Sequence, residues 1–279
     1  MKVVAVVGLA LVSLALVVGG CHPPPRKSPP PLVKKTKQLK VVTFNVNYAG
    51  VDMARAAQVL HRVDADVVAL QETTPAWERY LRRRLKSRYP VQRYRHAGGA
   101  GGLAFLSRHP LRSMKVIPPP ARGWFPAWLV RVRTPLGRLL LLNVHLRPPI
   151  GDSGRVSTVP VAYFYTRSIR KKEIRRHLSQ ALQNRPMVVL GDFNESSGPA
   201  LRLMQRRGLR SALARYDSTT PTWRWRTSLH TFRSRLDHIF FSKHLRCVGA
   251  QVLGYAASDH YPVEAVFALQ TPPGPPKPR

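Results

Sequence analysis

The stretch Pro186-Met-Val-Val-Leu-Gly-Asp-Phe-Asn194 decides how the fold of this chain is interpreted. Its apolar, β-branched start predicts a short buried strand that ends at Gly191-Asp192. A carboxylate in that position is costly unless it is paired or bound to a metal ion. The chain is poor in acids, with 13 Asp and Glu against 46 Lys and Arg. An acid that follows a buried strand is therefore a candidate functional residue.

Three further short segments place polar residues at or near the end of a predicted strand: Leu70-Gln-Glu72 and Asn143-Val-His145 end apolar runs, and Ser258-Asp-His260 precedes one. Asp237 lies inside another apolar run, from Arg235 to Phe241. Strand ends on a rigid sheet can direct several side chains to one point. Carboxylates, Asn and His without thiols favour Mg²⁺ or Mn²⁺ over a structural zinc ion. Such a group suits the hydrolysis of phosphate esters.

Each segment alone has a structural alternative. An isolated Asp-His pair is more often part of a surface turn. An isolated Gly-Asp-Phe-Asn segment is more often a turn with Asx hydrogen bonds. Their occurrence together in one chain favours a single catalytic site.

The composition limits the class of partner. The formal net charge is +33, and such a positive potential attracts nucleic acid, anionic lipid or other polyanions. A basic surface that serves only solubility is the alternative. With 279 residues and a hydrophobic fraction of 44%, the chain can bury a sizeable core.

The N-terminus has the pattern of an export signal. Met1-Lys2 is followed by an apolar run from Val3 to Gly20 and then by Cys21. A cysteine directly after small residues resembles a bacterial lipoprotein signal, so we expect residues 1–21 to be a lipoprotein-type signal peptide with the lipid on Cys21. An ordinary signal peptide and a retained membrane anchor are the alternatives. We expect a monomer outside the cytoplasm, periplasmic or at the cell surface, that is anchored to the membrane by its lipid.

The rest of the chain divides into three parts. Residues 22–38 are a Pro- and Lys-rich linker, residues 39–270 form the folded domain, and residues 271–279 are a disordered tail. Within the domain the patterns predict strands at 39–46, 66–70, 101–107, 128–134, 138–146, 186–190, 235–242, 247–253 and 261–269, and helices at 52–63, 75–88, 163–183 and 199–207. Many strands with few helices predict a layered α/β sandwich.

The motifs taken together resemble the endonuclease/exonuclease/phosphatase superfamily, which includes DNase I-like nucleases, abasic-site endonucleases, sphingomyelinases and inositol-polyphosphate phosphatases. The matching segments are Thr43-Phe-Asn-Val-Asn47, Leu70-Gln-Glu72, Gly102–Arg108, Asn143–Leu146, Gly191-Asp-Phe-Asn194, Pro221-Thr-Trp223, Arg235-Leu-Asp237 and Ser258–Pro262. They span nearly the whole domain in the order of the family. The resemblance implies a four-layer α/β sandwich, with two mixed β-sheets packed face to face and helices outside.

The resemblance also implies the metal ligands. Glu72 would be the main ligand, with Asn45 beside it. Asp259 would bind or position the metal ion, which would be Mg²⁺ or Mn²⁺. The implied enzyme is therefore a metal-dependent phosphoric ester hydrolase.

The same resemblance implies the catalytic residues. Asp192 would align or deprotonate the attacking water, and Asn194 would hold a phosphate oxygen. His260, oriented by Asp237, would contact the scissile phosphate or act in acid–base catalysis. His145 would be a second histidine across that phosphate.

One position departs from the family. In DNase I-like nucleases a Glu follows the Ser-Arg of the strand and supports the second histidine, and here His109 holds that place in Ser107-Arg-His-Pro110. A histidine cannot supply the same negative partner. We therefore expect His145 to be tuned differently from its counterpart in DNase I.

The substrate is predicted from the distribution of basic residues. Arg79 to Arg88 and Arg167 to Arg176 would form basic helix faces, and Trp223-Arg-Trp-Arg226 sets aromatic rings between arginines. Arginine with aromatic rings suits phosphate contacts and base stacking, so Trp223 and Arg224 are candidate substrate contacts. A core role for Trp223 is the alternative. A nuclease for DNA or RNA is the first hypothesis, a lipid-headgroup or inositol-phosphate hydrolase the second, and a non-catalytic polyanion-binding protein the third.

Overall fold

The computed structural model describes residues 37–49, 52–150, 159–181, 184–228, 230–255 and 257–270. The expected signal peptide with Cys21, nearly all of the linker and the tail at 271–279 lie outside these ranges. No helix within the described ranges has both the length and the apolar character needed to cross a membrane.

The described residues alternate between strands and helices. The strands are β1 Leu39–Asn45, β2 Val67–Gln71, β3 Val91–Arg95, β4 Leu103–Ser107, β5 Leu111–Ile117, β6 Ala127–Thr134, β7 Gly137–His145, β8 Met187–Asp192, β9 Arg210–Ser211, β10 Trp223–Arg226, β11 Thr231–Ser234, β12 Asp237–Phe241, β13 Leu245–Val252 and β14 Val263–Leu269. The helices are α1 Met53–Val63, α2 Pro75–Leu85, α3 Val159–Ala181, α4 Pro199–Arg206 and α5 Leu213–Tyr216. A short 3₁₀ turn spans Gly99–Gly101.

The strands form two mixed six-stranded sheets and a separate hairpin. The first sheet has the order β13-β14-β1-β2-β4-β3, and the second has the order β5-β6-β7-β8-β12-β9. In each sheet one neighbouring pair is parallel, β1 with β2 and β7 with β8, and the other pairs are antiparallel. Strands β10 and β11 pair as a two-stranded hairpin.

Three apolar clusters separate four layers, as expected for this sandwich. The inner faces of both sheets pack together through side chains such as Val41, Phe105 and Leu141. Helices α1 and α2 cover the outer face of the first sheet, where Trp77 is fully buried. Helices α3 and α4 cover the outer face of the second sheet. The predicted four-layer α/β sandwich is therefore confirmed.

The sequence missed the elements with the weakest apolar pattern. Strand β5 is mostly exposed and reads Leu-Arg-Ser-Met-Lys-Val-Ile, and the hairpin strands β10 and β11 are rich in arginine. Strand β3 also has exposed arginines. Edge strands and hairpins bury little side-chain surface, so their sequences lack the apolar runs that mark central strands.

Candidate active site

The two parallel strand pairs bring the predicted site residues to one edge of the sandwich. Asn45 lies beside Gln71 at the carboxyl ends of β1 and β2, and Glu72 follows directly. His145 lies beside Asp192 at the carboxyl ends of β7 and β8. Asp237, at the start of the antiparallel strand β12, pairs with Asp192. Both sheets therefore deliver side chains to the same cleft.

His260 lies between two carboxylates. Its Nδ1 is 2.8 Å from Asp237 Oδ2, and its Nε2 is 3.7 Å from Asp192 Oδ2. Thr222 Oγ1 accepts hydrogen bonds from the backbone N–H groups of Leu236 and Asp237, both at 2.9 Å, which fixes the start of β12. The predicted orientation of His260 by Asp237 is present in the structure.

The protonation of this group follows from burial and charge. Burial lowers the pKa of His260, but the carboxylates of Asp237 and Asp192 outweigh burial and raise the pKa to about 10. Burial raises the pKa of Asp192 to about 6, although the charge of His260 acts in the opposite direction. His260 is consequently an imidazolium at neutral pH, held beside a carboxylate that accepts a proton easily.

Asn194 holds Asp192 in place. Its backbone N–H donates to Asp192 Oδ1 at 2.8 Å, and its side-chain Nδ2 donates to the Leu146 carbonyl at 2.9 Å. Asn194 has a φ of 49°, in the left-handed region that Asn tolerates better than most residues. In this structure the Asn194 amide donates to protein acceptors and its backbone N–H holds Asp192, and the predicted contact with a phosphate oxygen stays a prediction.

Glu72 and Asn45 form the other half of the cleft. Asn45 Nδ2 donates to Glu72 Oε1 at 2.9 Å and to Asp192 Oδ2 at 3.1 Å, so one amide bridges the two carboxylates. Glu72 Oε2 accepts the backbone N–H of Tyr48 at 3.1 Å. Burial raises the pKa of Glu72, the hydrogen bonds from Asn45 and Tyr48 oppose the rise, and Asp259 adds to it. The site thus concentrates negative charge that the described side chains only partly neutralise.

Asp259 is fixed from three sides. Asn47 Nδ2 donates to Oδ1 at 2.9 Å, Trp223 Nε1 donates to Oδ2 at 3.0 Å, and Ser258 Oγ donates to Oδ1 at 3.1 Å. Trp223 is therefore tied to the site through its indole N–H. Its side chain is half-buried and hydrogen-bonded to a site carboxylate, and a contact between Trp223 and the substrate stays a prediction.

His145 lies beside the same Asp192 oxygen as His260. Its Nε2 is 3.6 Å from Asp192 Oδ2 and 3.8 Å from Glu72 Oε1. Its Nδ1 lies 3.1 Å from the Ala100 carbonyl, and the Phe125 ring stacks on the imidazole with centroids 4.2 Å apart. Burial lowers the pKa of His145, so without substrate the ring is neutral, with its proton on Nδ1 towards Ala100.

The expected place of His109 beside His145 is wrong. Ser107 pairs with Val67, at the opposite end of β2 from Glu72, and His109 Nε2 lies 3.6 Å from Asp66 Oδ1 at that far end. A backbone carbonyl, of Ala100, supports His145 instead. Because β4 is antiparallel to β2, its last residue and the two that follow lie at the end of the sheet far from the cleft, and spacing along the sequence did not reveal this direction.

The motifs described above lie within the part of the chain that matches a known protein family. The model of the Endonuclease/Exonuclease/phosphatase family matches residues 42–260. The chain belongs to this family. A search of curated proteins found no significant sequence match. Its fold and its buried acidic and histidine cluster are those of a metal-dependent phosphoesterase of the endonuclease/exonuclease/phosphatase family.

Solved structures share the fold. An endonuclease/exonuclease/phosphatase from Beutenbergia cavernae is 22% identical with a TM-score of 0.65, over 84% of this chain and 72% of that protein. TDP2 from D. rerio, solved with a single-strand DNA product, is 18% identical with a TM-score of 0.64, over 82% of this chain and 98% of that one. The human Nocturnin catalytic domain, solved with a sulfate anion, is 17% identical with a TM-score of 0.59, over 84% of this chain and 95% of that one.

Two groups at the site could hold the metal ion of the family. Asp192, Asp237 and His260 present ligand atoms within 4.8 Å of one another, and Asp237 Oδ1 is buried without a hydrogen-bond partner among the described residues. A metal ion on that trio would require His260 to lose a proton, because a protonated ring has no lone pair for a metal. Glu72 offers hard carboxylate oxygen atoms whose charge burial disfavours, so this carboxylate also fits Mg²⁺. Asn45 turns its Nδ2 towards Glu72, and its Oδ1 accepts the backbone N–H of Asn47 at 3.0 Å.

Several buried polar residues that sequence reasoning passed over hold the site together. Gln71 Nε2 donates to Asn143 Oδ1 at 2.7 Å across the two sheets, and Asn143 Nδ2 donates to the Leu70 carbonyl at 2.9 Å. Both side chains are fully buried. The side-chain amides of Gln71 and Asn143 therefore link the two sheets to each other. Glu72 and His145, which follow them in their motifs, reach the cleft.

A buried ion pair fixes the loop after β8. Arg170 Nε lies 3.0 Å from Glu195 Oε2, and both side chains are fully buried. Glu195 Oε1 accepts the backbone N–H of Ala200 at 2.9 Å, and His238 Nε2 lies 2.9 Å from the Glu195 carbonyl. The signal in the sequence was an acid directly after Gly-Asp-Phe-Asn in an acid-poor chain.

Gly191 is required by the backbone geometry at the end of β8. Its φ is +145°, and a Cβ at this position would lie 1.9 Å from the Val144 carbonyl oxygen. We expect Gly191→Ala to cost about 3 kcal/mol of unfolding free energy or more, because strain and overlap with the backbone add. Denaturant unfolding measures this cost. Gly98→Ala, where no atom lies within 4 Å, is the control and should stay within about 0.5 kcal/mol.

Glu173 makes the stability depend on pH. It is fully buried, and burial raises its pKa to about 7, while the backbone N–H of Arg147 donates to its Oε2 at 3.0 Å. The native state thus binds the proton of Glu173 more tightly than the unfolded state, in which the pKa of this carboxyl group is near 4.5. The stability that this protonated group contributes is therefore fully present below pH 4.5 and is lost as the pH rises to about 7. We expect Glu173→Gln to raise the free energy of unfolding by about 3 kcal/mol at pH 8 and to change it little at pH 4.5.

The control for this measurement is Glu78→Gln, because Glu78 is partly exposed and paired with Arg82 and His96. That variant should gain no stability at either pH. Equal pH dependence of wild type and Glu173→Gln in urea unfolding would contradict the assigned burial of this carboxyl group.

Proposed function

We propose that this chain is a divalent-metal-dependent phosphodiester hydrolase that acts on DNA or RNA outside the cytoplasm. The observation that carries the proposal is the cleft in which both sheets bring Glu72, Asp192 and His260 together. Asn45 Nδ2 donates to both carboxylates, and His260 Nε2 lies 3.7 Å from Asp192 Oδ2. Glu72 then lies on the side proposed for the metal ion and His260 on the cationic side, with Asp192 in contact with both sides.

In the proposed reaction Asp192 orients a water molecule and accepts its proton as the water oxygen bonds to phosphorus. A carboxylate with a pKa of about 6 is suited to that proton transfer near neutral pH. Asn45 and Asn194 hold Asp192 in position through the hydrogen bonds described above. The ester P–O bond breaks, the leaving oxygen takes a proton from solvent, and Asp192 returns the proton of the water to solvent, so that one water is consumed in total.

The two histidines act on the phosphate. His260, kept protonated by Asp237 and Asp192, stabilises the charge that develops on the phosphoryl oxygens. His145 is neutral in the free protein, but an anionic phosphodiester favours its protonated form. His145 would then donate from Nε2 to the phosphate across from His260.

The proposal places Mg²⁺ or Mn²⁺ on Glu72, with Asn45 and Asp259 as neighbouring contributors. When bound, the ion neutralises phosphoryl charge and stabilises the leaving oxygen. Glu72 needs a cation because burial and the nearby charge of Asp259 both raise its pKa.

Charge supports nucleic acid as the substrate. The net charge of +33 favours a polyanion, and Arg224, whose backbone N–H donates to the Asp259 carbonyl at 2.9 Å, lies next to the cleft. We assign Arg224 to a substrate phosphate and Trp223 to the wall of the site. TDP2, which shares the fold, has been solved with a single-strand DNA product.

The proposal includes export and lipid attachment at Cys21, with a monomeric enzyme held at the membrane by its linker. The apolar run before Cys21 and the Pro-rich segment after it support this location. Labelling with a radioactive fatty acid in a bacterial host tests it, since Cys21→Ser should abolish the label.

A substrate panel tests the activity. The purified protein should cleave plasmid DNA or RNA with Mg²⁺, lose cleavage with a chelator, and lose it as His260→Ala while its circular dichroism spectrum is unchanged. If the protein hydrolyses a phospholipid or an inositol phosphate and leaves nucleic acids uncleaved, those compounds are its substrates and the nuclease proposal is wrong. Tight DNA binding with no turnover under any metal would identify a polyanion-binding protein instead.

A further inference from the structure

The β10–β11 hairpin carries exposed aromatic side chains that the proposed reaction does not use. Its strands form a two-stranded sheet apart from the two large sheets. The antiparallel register sets Trp223 opposite Ser234, and Trp225 opposite Phe232. The hairpin therefore has two faces whose residues can be assigned from strand alternation.

One face is aromatic. Trp223 and Trp225 are two residues apart and lie on the same face, with Phe232 across from Trp225. The rings of Trp225 and Phe232 stack with centroids 5.8 Å apart and an interplanar angle of 29°. Trp225 is 41% exposed and Phe232 is 48% exposed, so the stacked pair is accessible to a partner.

The aromatic face continues directly from the active site. Trp223, at the base of this face, donates from Nε1 to Asp259 Oδ2 at 3.0 Å. Two residues along a β-strand span about 6.6 to 6.8 Å. Trp225 therefore lies further from the active site than Trp223 by about two base steps of a nucleic-acid strand, at about 3.4 Å per step. A strand whose phosphate occupies the cleft would thus pass the Trp225–Phe232 pair within its neighbouring nucleotides.

The other face is cationic. Arg224 lies directly opposite Arg233, and Arg226 follows on the same face. Like charges directly opposite each other destabilise a hairpin. The segment between Asp217 and Asp237 contains no acid to offset these arginines. An anionic partner that follows the hairpin would remove this repulsion.

We propose that Trp225 and Phe232 form a stacking platform for an unpaired base of a single-stranded nucleic acid, which the positive charge of the hairpin attracts. The proposal rests on the proposed nuclease function and deepens it, since it names a single strand as the preferred substrate. Aromatic rings bind any base through its π-face, and the arginines on the opposite face add to the positive potential around the platform. Bases inside a duplex are already stacked on their neighbours and cannot occupy the platform without being turned out.

Binding to oligonucleotides tests the platform separately from catalysis. Fluorescence anisotropy with a labelled single-stranded DNA, in a chelator and at fixed salt, should show that Trp225→Ala and Phe232→Ala each weaken binding about tenfold. The same strand carrying one abasic residue, moved along the sequence, should weaken wild-type binding at one position. At that position Trp225→Ala should cause no further loss, because the base it would stack on is absent.

Leu269→Ala is the matched control, since Leu269 is 48% exposed like Phe232 but lies at the end of β14 away from the cleft. It should bind the strand as wild type does. A duplex of the same sequence should be bound more weakly, with little dependence on Trp225.

The outcomes separate the two proposals. Trp225-dependent binding of the strand without any cleavage under Mg²⁺ would refute the nuclease function and keep the platform. If the protein cleaves nucleic acid, but Trp225→Ala loses the same binding affinity for the intact strand as for the abasic strand, or loses none, the platform is overturned and the nuclease function is kept. Trp225-dependent binding to anionic vesicles, with oligonucleotide binding unaffected, would overturn it in favour of a membrane contact.

Discussion

Asp192→Asn should reduce kcat for phosphodiester cleavage by about 10²- to 10⁴-fold while the fold is retained. Asparagine keeps the shape of Asp192, but its single oxygen can accept only one of the two hydrogen bonds that Oδ1 and Oδ2 receive from the Asn194 backbone and from Asn45. It cannot accept the proton of the attacking water. Because burial raises the pKa of Asp192, removal of its charge should leave the melting temperature unchanged or higher.

Steady-state kinetics and thermal unfolding on the same preparation measure both effects. Asp64→Asn is the control, since Asp64 is ion-paired with Arg88 and Arg108 at the opposite end of β2 and should not affect kcat. Retention of more than about a tenth of the wild-type kcat in Asp192→Asn would exclude Asp192 as the proton acceptor.

Glu72→Gln should abolish the response of the protein to Mg²⁺. In wild type, saturating Mg²⁺ should stabilise the native state, by about 2.7 kcal/mol at 100 times the dissociation constant. The variant removes a carboxylate whose pKa is raised by burial and by Asp259, so without metal it should be at least as stable as wild type. With Mg²⁺ it should gain little stability, and its activity should need at least about 10- to 100-fold more Mg²⁺.

Thermal unfolding across a Mg²⁺ titration provides a readout that does not depend on activity. Glu78→Gln makes the same chemical change on the partly exposed face of α2 and should respond to Mg²⁺ as wild type does. Equal Mg²⁺ stabilisation of Glu72→Gln and wild type would show that the ion binds elsewhere.

Central strands and strand-end site residues could be predicted because their signal is local. The apolar runs before Glu72, His145 and Asp192 are fully buried strands, and their polar ends reach the cleft. The hydrogen bond from Asn45 to Asp192 spans 147 positions, and its partners could be expected to meet only through the family resemblance.

Contacts between distant polar residues could not be predicted in the same way. Nothing local in the sequence pairs Arg170 with Glu195 or places Ala100 rather than His109 against His145. The hairpin that carries Trp225 has alternating aromatic and arginine residues, but its strands bury little and give no apolar run. Such features depend on loop geometry and on packing between layers, which periodicity does not encode.

Anomalous diffraction from a crystal soaked in Mn²⁺ tests the central claim most directly, because it locates the ion without reference to activity. The account predicts an anomalous peak within coordination distance of a Glu72 carboxylate oxygen, on the side of the cleft that faces Asp259, with His260 unligated and still bonded to Asp237. A peak ligated by His260 Nε2 together with Asp192 and Asp237, or a peak remote from Glu72, would contradict it.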